Sequence, residues 1–153
     1  MRFIFLITLI VVCLSSLSQL PELILPIGHT SNIQSLALSP DSRFAATSAS
    51  DKTVRLWDLR TGKLVQLLAG KIKDIHFVYF DSTSQKVFAC SKDGKIKAWN
   101  IYTGKEILSI NGNHLEVAMM KLSYNEKYII SAGVDGSVKI WNSQDGTLLV
   151  EVT

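Results

Sequence analysis

Cysteine is scarce in this chain, and neither sign of charge dominates. The 153 residues include two cysteines, and 16 basic against 13 acidic residues leave a formal charge of only +3. So small an excess indicates no strong attraction to nucleic acid or to an anionic membrane. Hydrophobic residues make up 47% of the chain. That share is enough for the core of one ordinary domain and argues against disorder.

The start of the chain lacks an apolar run long enough to span a bilayer comfortably. Residues 3–14, FIFLITLIVVCL, follow Arg2 as an apolar run of twelve, whereas a spanning helix needs about 18 residues or more. The run leads into SSLSQ, in which Ser16 and Ser18 have the spacing that a signal peptidase requires. We therefore predict a signal peptide over residues 1–18 and an exported protein, periplasmic or secreted. The alternatives are a membrane anchor over residues 3–20 and an intracellular protein.

Cleavage after Ser18 leaves one cysteine. It removes Cys13 and keeps Cys90, so neither an internal disulfide nor a cysteine metal cluster can form. Cys90 stands in the middle of a strand-like segment, beside Phe88. This setting predicts a small buried hydrophobic residue rather than a nucleophile.

What the sequence does contain is a repeat of constant length. Trp57, Trp99 and Trp141 are 42 residues apart, and other landmarks keep the same step without an insertion or deletion. These landmarks are Gly28, Gly70 and Gly112; Asp51, Asp93 and Asp135; and Gly62, Gly104 and Gly146. A period of about 40–45 residues is the length of a four-stranded propeller blade.

The pattern inside each unit indicates four strands. In the first unit NIQSLALS leads to the turn SPDSR, RFAATSA forms a second strand, TVRLWD alternates as a third, and KLVQLL is the fourth. The predicted fold is therefore all-β, a partial β-propeller of three four-stranded antiparallel blades. We place an N-terminal strand at residues 19–27 and the three repeats at residues 28–69, 70–111 and 112–153.

These units resemble WD repeats over residues 28–153. The first unit, GHTSNIQSLALSPDSRFAATSASDKTVRLWD, has the Gly-His start, the internal aspartate and the Trp-Asp end of that family. In the family a histidine, a serine or threonine, the turn aspartate and the tryptophan form a hydrogen-bonded set within a blade. The resemblance implies that this set is made here by His29, Thr47, Asp51 and Trp57.

The other two units depart from this set. The second has Lys71 and Ala89 at the histidine and threonine positions, which leaves only Asp93 and Trp99. The third keeps its hydroxyl, aspartate and tryptophan, but Asn113 holds the histidine position and His114 follows one residue late. The residues kept in the third unit are Ser131, Asp135 and Trp141.

An Asp-His-hydroxyl set is also the arrangement of nucleophilic catalysis. We nevertheless interpret His29, Asp51 and Thr47 as scaffold, because the set decays from unit to unit and no oxyanion hole is indicated. Neither a phosphate-binding loop nor a metal-binding motif is present in the sequence. We therefore predict a protein that is not an enzyme and that needs no cofactor and no metal.

Three blades cannot close a propeller, which needs about 4–8. The segment ELILPI, residues 22–27, lies 42 residues before LVQLLA, residues 64–69, and so occupies the fourth-strand position of a blade with no other strands in this chain. We therefore expect either the N-terminal part of a longer propeller or a chain that associates with copies of itself.

The resemblance implies a non-enzymatic scaffold for protein–protein interaction. Its partner is expected to be a protein or peptide, not nucleic acid, and no stable membrane embedding is expected after signal cleavage. The alternative is a sensor or regulatory propeller of a larger exported enzyme, for example a peptidase, with its catalytic part downstream. Candidate partner-binding residues, by their position in the loops, are Asn32, Gln34, Ser50, Asp74, His76, Lys92, Glu116 and Val134.

Overall fold

The computed structural model describes residues 28–69, 72–112 and 115–153. The predicted signal peptide and the segment ELILPI lie outside these ranges, as do Gly70, Lys71, Asn113 and His114. In the described part of the chain all regular secondary structure is β-strand. No helix there is long and apolar enough to cross a membrane.

The strands follow one another in chain order. They are β1 (Ile33–Leu38), β2 (Phe44–Ala49), β3 (Thr53–Asp58), β4 (Leu64–Ala69), β5 (Ile75–Phe80), β6 (Lys86–Ser91), β7 (Lys95–Asn100), β8 (Glu106–Asn111), β9 (Val117–Leu122), β10 (Tyr128–Gly133), β11 (Val138–Asn142) and β12 (Leu148–Val152).

Each group of four consecutive strands forms one antiparallel sheet. The sheets are β1–β4, β5–β8 and β9–β12, which we call blades 1, 2 and 3, and in each of them neighbours in the chain are neighbours in the sheet. The third and fourth strands of every blade shift register at the tryptophan, between Leu56 and Trp57 and at the two equivalent positions. The predicted all-β fold of three four-stranded antiparallel blades is confirmed.

The tight turns between the second and third strands require a left-handed backbone at one position. Lys52, Gly94 and Gly136 occupy this position with φ of +68°, +75° and +83°. Glycine adopts this conformation without steric cost, whereas an L side chain is strained there. Blade 1 therefore has a lysine at the turn position where the other two blades have glycine.

The core lies between the blades. Side chains alternate along each strand, so Val54 and Leu56 of blade 1 point at blade 2 and are fully buried. They belong to a cluster shared with Ile75, Val78 and Trp99 of blade 2. The opposite face of blade 2 forms a second cluster with blade 3. Its members are Phe88, Cys90, Ile96, Ala98, Leu108, Ile110, Val117, Met120, Ile129 and Trp141.

The two outermost faces are open. Ile33 of blade 1 is 60% exposed, while its equivalents Ile75 and Val117 are 1% and 0% exposed. At the other end, Val152 of blade 3 is 59% exposed, while the equivalent Ile110 of blade 2 is 3% exposed. The same repeat position is therefore core in one blade and surface in another, depending on whether a blade packs against it.

Candidate functional site

Blade 1 brings together the four side chains of the hydrogen-bonded set. Nδ1 of His29 lies 2.9 Å from Oδ2 of Asp51, and Nε2 of His29 lies 2.7 Å from Oγ1 of Thr47. The indole N–H of Trp57 donates to the same Thr47 oxygen at 2.8 Å. Because an ionised aspartate only accepts, Nδ1 carries the proton, and the Thr47 hydroxyl donates to Nε2. The set thus ties the segment before β1 to β2 and β3.

The carboxylate of Asp51 is held ionised by this environment. Burial by itself raises its pKa, but hydrogen bonds from Thr53, His29 and the backbone of Thr30 outweigh that effect and lower the pKa to about 2. The guanidinium of Arg55 lies farther away, 4.0 Å from Oδ2. Donors that bond the charged form stabilise it against protonation, so Asp51 is a structural anion at neutral pH.

Thr53 also belongs to this set, in addition to the four residues predicted from the sequence. Its hydroxyl donates to Oδ1 of Asp51 at 2.6 Å and lies 3.3 Å from Nδ1 of His29. The equivalent Ser137 of blade 3 donates to Oδ1 of Asp135 at the same 2.6 Å. A hydroxyl two residues after the turn aspartate was the signal in the sequence, and only blade 2 lacks it.

Blade 2 has lost most of the set. Trp99 is 1% exposed, and its indole N–H has no hydrogen-bond partner among the described residues, because Ala89 stands where Thr47 stands in blade 1. Asp93 accepts a hydrogen bond from Ser91 and pairs with Lys95 at 2.9 Å. Burial raises the pKa of Asp93, but these two partners outweigh it, and the pKa is lowered.

Blade 3 keeps the bond between hydroxyl and tryptophan. The indole N–H of Trp141 donates to Oγ of Ser131 at 2.9 Å, and Asp135 accepts from both the backbone and the hydroxyl of Ser137. The histidine position, Asn113, and the following His114 lie outside the described residues. The tryptophan therefore has a hydroxyl partner in blades 1 and 3.

The geometry of these groups is that of a scaffold. The Thr47 oxygen is engaged on both sides, by the imidazole and by the indole, and points at neither solvent nor an open cleft. Cys90 is fully buried, and burial raises the pKa of its thiol to about 12. A thiol with so high a pKa is not a nucleophile at neutral pH. In the described ranges, no three His, Cys, Asp or Glu side chains come together as a metal site.

The eight candidate partner-binding residues lie at one end of the three blades. We call it the loop end; it holds the chain entering the first strand of each blade and the turn between the second and third strands. A backbone hydrogen bond closes it in every blade: the N–H of Ser50, Lys92 and Val134 donates to the carbonyl of Asn32, Asp74 and Glu116, in each case at 3.0 Å.

Side chains on this constant frame differ from blade to blade. In blade 1 the amide of Gln34 donates to Oγ of Ser50 at 2.8 Å. In blade 2 Lys92 is exposed, and in blade 3 its counterpart Val134 is 57% exposed. At the equivalent positions 50, 92 and 134 the loop end therefore presents a hydroxyl, a cation and an apolar side chain.

One contact at the loop end joins two blades. Nε2 of His76 in blade 2 lies 3.1 Å from Oε1 of Glu116 in blade 3, and about a quarter to a third of each side chain is exposed, 27% and 31%. The alignment of the two groups is not that of a hydrogen bond. The imidazole also lies 5.9 Å from the Phe77 ring, centroid to centroid. These two side chains are accessible to a partner and in contact with each other.

Several proteins are similar to parts of this chain. The general transcriptional corepressor TUP1 of Saccharomyces cerevisiae is 43% identical over 44 residues, which are 29% of this chain and 6% of that protein. The pre-mRNA-splicing factor PRP46 of Eremothecium gossypii is 33% identical over 63 residues, 40% of this chain and 15% of that protein. An uncharacterized WD repeat-containing protein of Synechocystis is 34% identical over 55 residues, 35% of this chain and 16% of that protein.

The chain thus spans only a small part of the length of these relatives. Its own repeats match the family model of the WD domain, G-beta repeat, at residues 13–58, 62–100 and 104–142. Two of the three matched ranges end at the Trp-Asn pairs of β7 and β11, and the first ends at the Trp-Asp pair of β3. The resemblance noted in the sequence is confirmed, and the chain belongs to the WD domain, G-beta repeat family.

Proposed function

We propose that this chain is a non-enzymatic interaction module that binds a protein partner at the loop end. The observation that carries the proposal is the constant frame with variable side chains. One backbone hydrogen bond recurs at 3.0 Å in all three blades, while the side chains around it change in charge, size and polarity. Exposed loops on a rigid scaffold are where binding residues concentrate.

The relatives support the proposal at the level of the family. They include a general transcriptional corepressor and a pre-mRNA-splicing factor, and neither name is that of an enzyme. The groups at the loop end, an imidazole, a carboxylate, an ammonium and an amide, can form hydrogen bonds and ion pairs with a polar protein surface. Charges of both signs occur together, which favours a protein over the uniformly anionic backbone of a nucleic acid.

A site-specific cross-linking experiment tests the loop end. One variant of the chain carries a photoreactive amino acid in place of Lys92. A second variant carries it in place of Lys105, an exposed lysine in the turn at the opposite end of blade 2. We expect discrete protein adducts from position 92 and not from position 105. The adducts should disappear when Glu116→Lys is added at the loop end and should persist when Arg60→Glu is added in blade 1.

The proposal is contradicted if both positions give the same adducts, or if Glu116→Lys leaves those from position 92 unchanged. The alternative of a regulatory propeller within an exported enzyme has no specific support in the described residues. Export itself is part of our proposal for the whole chain. It predicts a mature protein with the mass of a chain that begins at Gln19, and recovery of the full mass including Met1 would contradict it.

A further inference from the structure

A groove lies between blades 2 and 3 at the end opposite to the loop end. We call this the turn end, because it holds the turns between the first and second and between the third and fourth strands of each blade. The groove encloses about 600 Å³ and is lined by side chains from β6, from the β9–β10 turn and from the β11–β12 turn. No residue of the loop end takes part in it.

The equivalent junction between blades 1 and 2 is filled by the protein's own side chains. Phe44 and Ile101 are 6% and 2% exposed there, and the Phe44 ring meets the Tyr102 ring edge to face with centroids 6.5 Å apart. One repeat later, 42 residues on, Phe44 is replaced by Lys86 and Tyr102 by Gln144. The groove is therefore open because an aromatic pair present in one junction is missing from the next.

The floor of the groove has kept its apolar character. Phe88 is 3% exposed, Leu122 is half-buried against the core, and Tyr128 leaves 42% of its surface exposed. All three side chains line the groove, Phe88 from blade 2 and Leu122 and Tyr128 from blade 3.

The rim of the groove carries two available positive charges. Lys86 and Lys127 are both exposed, and neither ammonium group has an ion-pair partner within residues 28–69, 72–112 and 115–153. The nearby carboxylates are engaged by the protein itself. Oδ1 of Asp81 accepts the backbone N–H of Gln85 and of Lys86 at 2.8 Å, and Glu126 accepts the backbone N–H of Ser82.

We propose that this groove binds an extended segment of a partner protein in which an aromatic side chain stands next to a carboxylate. The aromatic ring takes the place that Phe44 and Tyr102 hold in the other junction and packs on Phe88 and Leu122. The carboxylate lies between the ammonium groups of Lys86 and Lys127, where a charge-assisted contact is strongest. This is a second site, at the other end of the blades from the proposed partner surface.

The test is a titration of the full, isotope-labelled chain with three blocked pentapeptides, followed by backbone amide NMR. The probe is Gly-Asp-Phe-Glu-Gly, and its controls are Gly-Asn-Phe-Gln-Gly, which lacks the charges, and Gly-Asp-Ala-Glu-Gly, which lacks the ring. We expect the probe to shift the amides of Tyr128, Ser143 and Gln144. Each control should bind roughly tenfold more weakly, since each loses one of the two kinds of contact.

Three variants test whether the peptide binds in the groove. Lys127→Gln removes one exposed ammonium group and should weaken binding of the charged probe roughly tenfold, while Lys105→Gln, at the same end but outside the groove, should leave it unchanged. The double variant Lys86→Phe with Gln144→Tyr restores the aromatic pair of the other junction and should abolish binding. A dispersed amide spectrum checks that each variant is folded.

The proposal is overturned if the probe shifts no groove amides, if the uncharged peptide binds equally well, or if the filled variant binds as well as the native chain. Shifts confined to Lys92 and its neighbours would assign the peptide to the loop end and would also overturn it. Cross-linking from position 92 is unaffected by any of these results, so the two proposals fail separately.

Discussion

Trp57, Trp99 and Trp141 occupy one position of the repeat but bond differently. Trp57 and Trp141 donate to a hydroxyl at 2.8 and 2.9 Å, whereas the indole N–H of Trp99 has no partner among the described residues. A buried donor without a partner costs about 1–3 kcal/mol. Blade 2 therefore carries a defect that its neighbours do not.

Restoring the hydroxyl should stabilise the protein. Ala89 is fully buried beside Trp99, and Ala89→Ser supplies the group that Ser131 provides in blade 3. We expect an increase of about 1 kcal/mol in the free energy of unfolding, measured by urea denaturation. The matched control is Ala98→Ser, equally buried but on the opposite face of the sheet. It should be destabilising, and equal midpoints for the two variants would contradict the assignment.

Asp51 makes stability depend on acid pH. Its pKa in the folded protein is about 2, against a reference value of 3.8. A lowered pKa contributes stability above the unfolded value, and that contribution is lost as the pH falls from about 4 through about 2. We expect the free energy of unfolding to fall by about 2 kcal/mol over this window. Urea denaturation at a series of pH values measures it. In Asp51→Asn the loss over the same window should be smaller by about that amount, and identical pH profiles would contradict the argument.

At the scale of the element, the turns show how far local sequence determines structure. The strands and turns of each unit were predictable, because side-chain alternation and the Asp-Gly turns depend only on residues a few positions apart in the chain. The hydroxyl of Thr53 was missed, because its role depends on the position of Asp51 two residues earlier and of His29 in another segment. The spacing to Asp51 is local, but the contact with His29 joins two distant segments and is not visible from either of them alone.

The turn of blade 1 offers a prediction at this scale. Lys52 holds a left-handed backbone with φ of +68°, where blades 2 and 3 have glycine. Lys52→Gly should raise the free energy of unfolding by up to about 1 kcal/mol, because it relieves the strain of an L side chain at the cost of some entropy. The control is Lys63→Gly in the β3–β4 connection, a lysine without positive φ, and it should give no such gain. Equal effects of the two variants would count against strain at Lys52.

At the scale of the whole molecule, the two outer faces have the composition of an interior. Leu36 and Leu38 are each 62% exposed, while Val78, the equivalent of Leu36 in blade 2, is 2% exposed. Exposed apolar patches of this kind drive association. The outer face of blade 1 and the outer face of blade 3 are the same two surfaces that pack together between blades 1 and 2 and between blades 2 and 3.

We therefore predict that the isolated chain associates head to tail with a second copy, which gives six blades, within the range of about 4–8 that closes a ring. Sedimentation velocity at several concentrations should show a monomer and a dimer in exchange. Leu36→Lys combined with Leu38→Lys should shift the population to monomer, whereas Tyr124→Lys, at an exposed turn position on neither face, should not. A monomer at every concentration would contradict the prediction.

The sequence by itself determined the 42-residue period and the four strands of each unit, because alternation, turn chemistry and spacing are written inside each repeat. The hydrogen-bonded set of blade 1 was implied by the resemblance to WD repeats, and the structure added Thr53 to it. Only the tertiary structure decided which faces are covered, that the buried Trp99 has no hydrogen-bond partner among the described residues, and that His76 meets Glu116. It alone also revealed the groove opened by Lys86 and Gln144. The covered faces, the contact between His76 and Glu116 and the groove depend on side chains of different repeats, which meet only when one blade packs on the next. The state of Trp99 has its cause within blade 2, where Ala89 takes the place of a hydroxyl residue.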